Sequence, residues 1–426
     1  MIEKFEPVSE VSGELYFDGD KSISHRTLIF SAMAEGESVI RNINRGLDVR
    51  STMDCLRQLG AEIADDGDQV LVRGVGFRGF RQPELELNAG NSGTTARLLS
   101  GLLSVQNFPS TLIGDESLSK RPMKRVCEPL RLMGAQIKTT NGFLPVSFFP
   151  SEEISHIKFE MNIPSAQVKT ALVLAGLHIE EDTIITEPAG SRDHTEKMLG
   201  LPVRATDNGN LILVNKSFYP VKNNYFVPGD ISSASFFIVL GLLAENSNLL
   251  IKNVLLNTQR IAFISHLQKM GAKITLIQKD ISAGEPYGDI RVESSTLQNI
   301  ELSGNEIPML IDEIPVLSVA ALFSEGKFIL KDAHELRVKE SDRINSVVVN
   351  LRKLGLEVDE SNDGFSFSPG FNIKTEPVFE TFGDHRIAMT FVILSVLLKD
   401  GAKINNLGIV KISNPEFFNQ LKSISR

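Results

Sequence analysis

Only two cysteines, Cys55 and Cys127, occur in the 426 residues of this chain. Two thiols cannot build a disulfide framework in a chain of this length, so a reducing compartment is expected rather than secretion. Long apolar runs are missing as well: the longest, such as 388–398, are about half of what a membrane span needs. The opening segment MIEKFEPVSEVSGEL carries acids and a proline where a secretion signal needs an apolar run. A cytoplasmic protein without membrane contact is the expectation. A basic surplus is also lacking. The net charge is −9, which speaks against a nucleic-acid surface, because that task needs a broad basic face. The seven histidines show no HExxH or paired-ligand spacing, and neither a Walker loop nor a GxGxxG after a strand occurs. No metal and no cofactor are expected, and Cys55 and Cys127, placed on amphipathic helices, read as buried inert thiols.

Hydrophobic residues at 42% and charged residues at 23% describe an ordinary globular chain, of two domains or one large one. Within it one signature recurs, a helix-like run closed by a Leu-Gly or Met-Gly cap and followed by a strand. It reads TMDCLRQLGAEI (52–63), VCEPLRLMGAQI (126–137), FISHLQKMGAKI (263–274) and VVVNLRKLGLEV (347–358), with a variant HTEKMLGLPV at 194–203. Leucines and methionines fall at i, i+3 and i+4, and the glycine ends the helix in a left-handed conformation. A second segment type is a polar start, an apolar helix, a short turn and a β-like stretch. Its six copies begin at Lys21, Gly93, Ser165, Ser232, Asp312 and Asp384, at intervals of 72, 72, 67, 80 and 72 residues. An even period with the same cap at the same phase is the mark of an internal sixfold repeat, here arranged as two three-unit domains.

Polar residues cluster where these apolar helices begin: Lys21, Ser22 and Arg26; Asn91, Gly93, Thr94 and Arg97; Ser165 and Gln167; Ser232 and Ser233; Asp312 and Glu313; Asp384, His385 and Arg386. Ser, Thr and Asp there are ordinary N-caps. The cations are not, since the positive end of a helix dipole disfavours them. Lys21, Arg26, His385 and Arg386 therefore require anionic partners, and a multiply charged anion bound at helix N-termini supplies them. Arg121 in SLSKRPMKRV and the segment LRVKESDR (336–343) add to the set; in the latter, Lys339 and Arg343 are read as one helical turn apart with Glu340 between them.

LNAGNSGTTARLL, KRPM, SAQVKTA, LIDEIPVLSVAA, LRVKESDR and GDHRIAM resemble, in that order, the signature blocks of the 5-enolpyruvylshikimate-3-phosphate synthases. The resemblance covers the chain from Lys21 to about Pro415. It implies a two-lobed inside-out α/β barrel of six inverse β-α-β-α-β-β repeats, three per lobe, with the active site in the cleft between the lobes. It further implies transfer of enolpyruvyl from phosphoenolpyruvate to shikimate 3-phosphate, in the shikimate pathway of aromatic amino acid biosynthesis; a monomer is the default expectation. Shikimate 3-phosphate would then lie against Lys21, Ser22, Arg26, Ser165, Ala166, Gln167, Arg192, Asp312 and Lys339. Phosphoenolpyruvate would lie against Lys21, Gly93, Arg121, Gln167, Arg343 and Arg386. Asp312 and Glu340 would be the acid–base pair, with Lys21 beside them. Asn91, Thr94, Ser191, His385 and Lys411 complete the candidates.

The sequence departs from the family pattern at Glu335, where some members have an asparagine, and at Lys411, one position from the usual lysine. Gly93 stands where inhibitor-sensitive members have glycine, which implies sensitivity to glyphosate. The sister transferase that uses UDP-N-acetylglucosamine carries a reactive cysteine before the arginine equivalent to Arg121; GDESLSKR has none. A third reading is a non-catalytic scaffold with an anion-binding cleft, which would gain nothing from two carboxylates facing an anion. The domain boundary is expected near Gly19–Asp20 and again near VPGD, giving one lobe of 20–228 and another of 1–19 plus 229–426.

Overall fold

A computed structural model describes residues 2–207 and 209–425. All six apolar segments are helices: Lys21–Met33, Gly93–Leu103, Ala166–Gly176, Ile231–Leu243, Ile314–Leu322 and His385–Leu397. Five of them start under a side-chain cap. Asp20, Ser92, Ser165, Asp230 and Asp384 accept hydrogen bonds from the first-turn N–H groups, which no helical carbonyl can reach. The helix at Ile314 instead places Pro315 in its first turn, where an N–H has no partner to lose. These helices are buried almost all round, as their even apolar composition requires.

Each buried helix is followed by an amphipathic one: Leu47–Gln58, Lys124–Leu132, His194–Leu199, Ala262–Lys269, Arg343–Arg352 and Phe417–Ile424. Five of these end at the glycine seen in the sequence repeat, at Gly60, Gly134, Gly200, Gly271 and Gly355, with φ between 64° and 108°. Only glycine takes that conformation without cost. A further glycine, Gly101, lets two buried helices touch: a Cβ there would lie 2.1 Å from the Ala171 carbonyl oxygen.

Among the described residues the strands form six separate sheets of three or four. The recurrent order is a leading strand parallel to a second, followed by two antiparallel partners. Leu87–Asn88 beside Ser110–Ile113, and Lys158–Glu160 beside Thr183–Pro188, show it within single repeats. Two leading strands are exchanged. Ser12–Leu15 precedes the helix at Lys21 yet pairs with Asn248–Leu255, while Asn224–Phe226 precedes the helix at Ile231 yet pairs with Glu35–Arg41. This exchange makes one of the two units discontinuous in sequence.

The chain forms two compact units, one of Gly19–Pro228 with Ile281–Glu285, the other of the residues up to Asp18, Gly229–Asp280 and Pro286 onward. The first break thus comes one residue earlier than expected, so that Gly19 joins the unit expected to begin at residue 20. Ile281–Glu285 departs from the expected division, which put it with 229–426. The reason is the turn at Ala283 and Gly284, both at positive φ, which delivers the fully buried Glu285 to His194 Nδ1 at 2.7 Å. In the first unit the helices at Gly93 and Ala166 pack together; in the second, those at Ile231, Ile314 and His385 form a three-helix core.

Candidate active site

In the unit of Gly19–Pro228, Lys21, Ser22 and Arg26 occupy the first turns of one helix. Lys21 Nζ lies 2.9 Å from Asp48 Oδ2, so a protein carboxylate already pairs with this cation. Arg26 is buried, and burial draws its guanidinium down to about 10, against the opposing pull of Glu196 and Asp20. It donates from Nε to Thr195 Oγ1 and from Nη2 to Thr170 Oγ1, both at 2.8 Å, and from Nη1 to the Ser22 carbonyl at 2.8 Å. Arg192 Nη1 reaches Ser22 Oγ at 3.4 Å, and the buried Ser191 hydroxyl lies 3.5 Å from the Arg192 carbonyl.

A second group in this unit gathers at the helices of Gly93 and Ala166. Arg97 Nη1 donates to Gln167 Oε1 at 2.7 Å, and Gln167 Nε2 to Thr94 Oγ1 at 3.0 Å. Arg121 Nη2 donates to Asn91 Oδ1 at 2.8 Å, and Asn91 in turn to Asp115 at 2.7 Å. A Cβ on Gly93 would lie 2.9 Å from Arg97 Nη1 and 3.6 Å from Arg121 Nη1, so this glycine keeps open the space before two guanidinium groups. Ser165 serves as the cap of its helix, and the half-buried Ala166 is the first helical residue.

In the other unit, Arg343 is the centre, with a side chain 1% exposed. Its Nε donates to Asp384 Oδ2 at 2.8 Å, Nη1 to Asp312 Oδ1 at 3.1 Å and Nη2 to Glu340 Oε2 at 2.6 Å. Burial alone would lower its pKa, but the three carboxylates prevail and raise it. Asp384 shows the reciprocal effect: burial raises its pKa, yet Arg343 beside it brings the carboxyl below its ordinary range. Arg386 Nη2 lies 3.5 Å from Asp312 Oδ2 and caps the arrangement from another side. The half-buried Lys339 has its pKa lowered by burial, which the charges of Asp312, Glu340 and Glu335 offset only in part.

One sequence expectation is corrected here. Lys339 and Arg343 do not share a helical turn: Lys339 ends a 3-10 turn in extended backbone, with ψ −154°, and the helix begins at Arg343 under the Asp342 cap. A break at this point turns Arg343 inward toward Asp384 rather than along the surface. His385 is buried in the first turn of its helix, and Lys411 is exposed in the 3-10 segment Leu407–Ile412.

Several residues around these groups escaped the sequence reading. Asp48 looks like any acid in a first helical turn, and it lies 27 residues from Lys21. Lys169 and Thr170 lie inside SAQVKTA, and Thr195 and Glu196 inside HTEKMLGLPV, but the sequence assigns no role to them or to Glu187. Asp193, His194 and Glu285 have ligand atoms within 4.8 Å of one another, a composition compatible with a metal ion. His194 and Glu285 already satisfy each other by a hydrogen bond, which accounts for that pair without an ion. Burial raises the thiols of Cys55 and Cys127 to about 12 and about 11, so neither is a nucleophile.

The chain as a whole has relatives among known proteins. A family model for EPSP synthase (3-phosphoshikimate 1-carboxyvinyltransferase) matches residues 5–421. The 3-phosphoshikimate 1-carboxyvinyltransferase of Petrotoga mobilis is 43% identical, over 98% of this chain and 99% of its own. That of Bacillus subtilis is 41% identical, over 99% of both chains. The crystal structure of EPSP synthase from Acinetobacter baumannii superposes with a TM-score of 0.88 at 38% identity, covering 100% of this chain and 98% of that one. The enolpyruvyl transferase NikO from Streptomyces tendae shares the fold, with a TM-score of 0.78 at 14% identity, over 99% of this chain and 97% of its own. With its repeat, its helix-end cations and its carboxylates on Arg343, the chain belongs to the EPSP synthase (3-phosphoshikimate 1-carboxyvinyltransferase) family.

Proposed function

We propose that the protein transfers the enolpyruvyl group of phosphoenolpyruvate to the 5-hydroxyl of shikimate 3-phosphate and releases phosphate. The observation that carries the reading is Arg343, which holds Asp312 on one terminal nitrogen and Glu340 on the other. Addition of an alcohol to an enol needs a base for the hydroxyl proton and an acid for the methylene carbon. Two carboxylates fixed on one guanidinium supply that pair in a set geometry.

In this reading, Asp312 takes the 5-hydroxyl proton as the oxygen bonds to C2 of phosphoenolpyruvate, and Glu340 gives a proton to C3. The tetrahedral adduct then expels phosphate, which takes the proton held by Asp312, while Glu340 recovers a proton from the new methyl group and the vinyl ether forms. Lys21 balances charge near the bridging oxygen. Arg343 and Arg386, with Arg121 and Gln167, hold the donor's carboxylate and phosphate, because planar forks match those groups. Ser22, Arg26, Arg192, Ser165, Ala166, Gln167 and Lys339 hold shikimate 3-phosphate. The reaction requires residues of both units to act on the same pair of substrates. Asn91, Thr94, Ser191, His385 and Lys411 take supporting places.

We take the protein as a cytoplasmic monomer acting on small molecules without cofactor or metal. Its net charge of −9 supports the absence of a nucleic-acid partner, and no helix among the described residues is long and apolar enough to cross a membrane.

Phosphate release from phosphoenolpyruvate tests the reading, with shikimate 3-phosphate and UDP-N-acetylglucosamine offered separately to the wild type and Asp312→Ala. Release with shikimate 3-phosphate alone, lost in the variant, is expected. Release with the nucleotide sugar moves the assignment to the sister reaction, and none with either leaves only an anion-binding role.

A further inference from the structure

The guanidinium of Arg26 spends three of its five N–H groups inside the protein. Two go to the hydroxyls of Thr170 and Thr195, which also bond to each other at 2.6 Å. Both threonines are fully buried. Thr170 belongs to the helix Ala166–Gly176 and Thr195 to the helix His194–Leu199, so Arg26 joins three helices.

Next to each threonine stands a buried charge. Lys169 precedes Thr170 and Glu196 follows Thr195. Lys169 Nζ lies 2.5 Å from Glu196 Oε1 and 2.7 Å from Glu187 Oε1, with side-chain exposures of 0%, 4% and 1% for the three residues. The ion pair and the hydroxyl pair therefore tie the same two helices at consecutive positions. A helix of six residues has too few internal hydrogen bonds to hold its own place. Apolar side chains of equal volume would fix it without removing charges from water, so packing alone does not account for this choice. What the polar version adds is a direction for the Arg26 fork.

We infer that Thr170 and Thr195, locked by the Lys169–Glu196 pair, are positioning residues that aim Arg26 at the phosphorylated acceptor substrate. The inference rests on the reading of Arg26 as a contact for shikimate 3-phosphate. Loss of one hydroxyl leaves a buried guanidinium N–H without an acceptor and frees the fork to turn.

Isothermal titration with shikimate 3-phosphate and steady-state kinetics, on the full chain, test it with Thr195→Val, Thr195→Ser, Arg26→Met and the double variant Arg26→Met/Thr195→Val. Thr195→Val is expected to weaken shikimate 3-phosphate about tenfold, while KM for phosphoenolpyruvate stays within about twofold. Thr195→Ser retains wild-type affinity. The double variant binds no more weakly than Arg26→Met, because the hydroxyl acts only through the arginine. Wild-type affinity in Arg26→Met overturns the assignment of Arg26 itself. A large loss in Arg26→Met with none in Thr195→Val, or full additivity in the double variant, overturns the positioning role alone. Should Thr195→Val fail to fold by circular dichroism, Thr170→Val is measured in its place and carries the same outcomes.

Discussion

The Lys21 ammonium rests 2.9 Å from the Asp48 carboxylate, with side-chain exposures of only 19% and 11%. A lysine has four rotatable bonds, and ordering it costs about 2 kcal/mol of rotamer entropy. Asp48 meets that cost before any substrate arrives. Asp48→Asn keeps the shape and removes the charge, so Lys21 loses its fixed place. We expect kcat/KM to fall about tenfold in Asp48→Asn, the value of one charge-assisted contact, and further in Lys21→Met. Unchanged kinetics in Asp48→Asn would mean that Lys21 needs no anchor.

Arg343 carries a different prediction, on stability. Removal of this buried cation takes from Asp312, Glu340 and Asp384 the charge they share, and breaking a buried pair in this way costs about 3–5 kcal/mol. Arg343→Met is expected to lower the urea midpoint of its unit accordingly. Arg343→Lys should recover little, because a single ammonium cannot serve three separate acceptors in fork geometry. The sign with pH follows from Asp384, whose folded pKa lies below its unfolded value. Its stabilisation is present above about pH 4 and is lost as pH falls through the folded value. In Arg343→Met the depressing cation is gone and burial raises the Asp384 pKa, so the destabilisation should lessen rather than grow as pH falls. Full recovery by lysine would contradict this account.

The repeat was legible because its signals are local. The glycines at 60, 134, 200, 271 and 355 each end a helix at positive φ, and a single residue type reports that geometry. Lys21 and Arg26 were legible as cations at the unfavourable end of a helix dipole. What stays hidden in sequence is pairing at long range. Asp48 lies 27 residues from Lys21, Thr195 lies 169 from Arg26, and Glu285 lies 91 from His194. Each is an ordinary residue in its own helix or strand. KESDR misled for a related reason: its charges fit i, i+4 spacing, but the Asp342 cap starts the helix only at Arg343.

His25 predicts a pH dependence in the other unit. It is fully buried, Nδ1 bonds to Thr52 Oγ1 at 2.7 Å, and burial holds its pKa near 3, although Asp48 and Asp20 pull upward while Lys21 and Arg26 add to the depression. The folded state therefore keeps the ring neutral where the unfolded chain takes up a proton. Its contribution is complete above about pH 6.5 and declines by about 1.4 kcal/mol per pH unit as pH falls toward 3. His178 and His266, both lowered to about 4 by burial, act in the same direction. Urea unfolding of His25→Gln should show a slope between pH 6 and 4 that is smaller by one proton. An identical slope would place the proton uptake elsewhere.

On the proposed reading of Gly93 as a phosphoenolpyruvate contact, it predicts how that subsite discriminates. A methyl group there would come within 2.9 Å of Arg97 Nη1, and Arg97 is already committed to Gln167 at 2.7 Å. The guanidinium can give way only by loosening that bond, and Gln167 would then lose the restraint that aligns it with Thr94. Overpacking of this kind costs about 1–3 kcal/mol, equal to about tenfold in affinity at its lower end. Gly93→Ala is therefore expected to raise the glyphosate inhibition constant about tenfold or more, with a smaller rise in KM for phosphoenolpyruvate, whose smaller body presses less on the filled space. Shikimate 3-phosphate, which Gln167 also holds in the proposed reading, should lose less affinity than glyphosate does. Inhibition constants equal in wild type and Gly93→Ala would show that glyphosate does not occupy the space before Arg97 and Arg121.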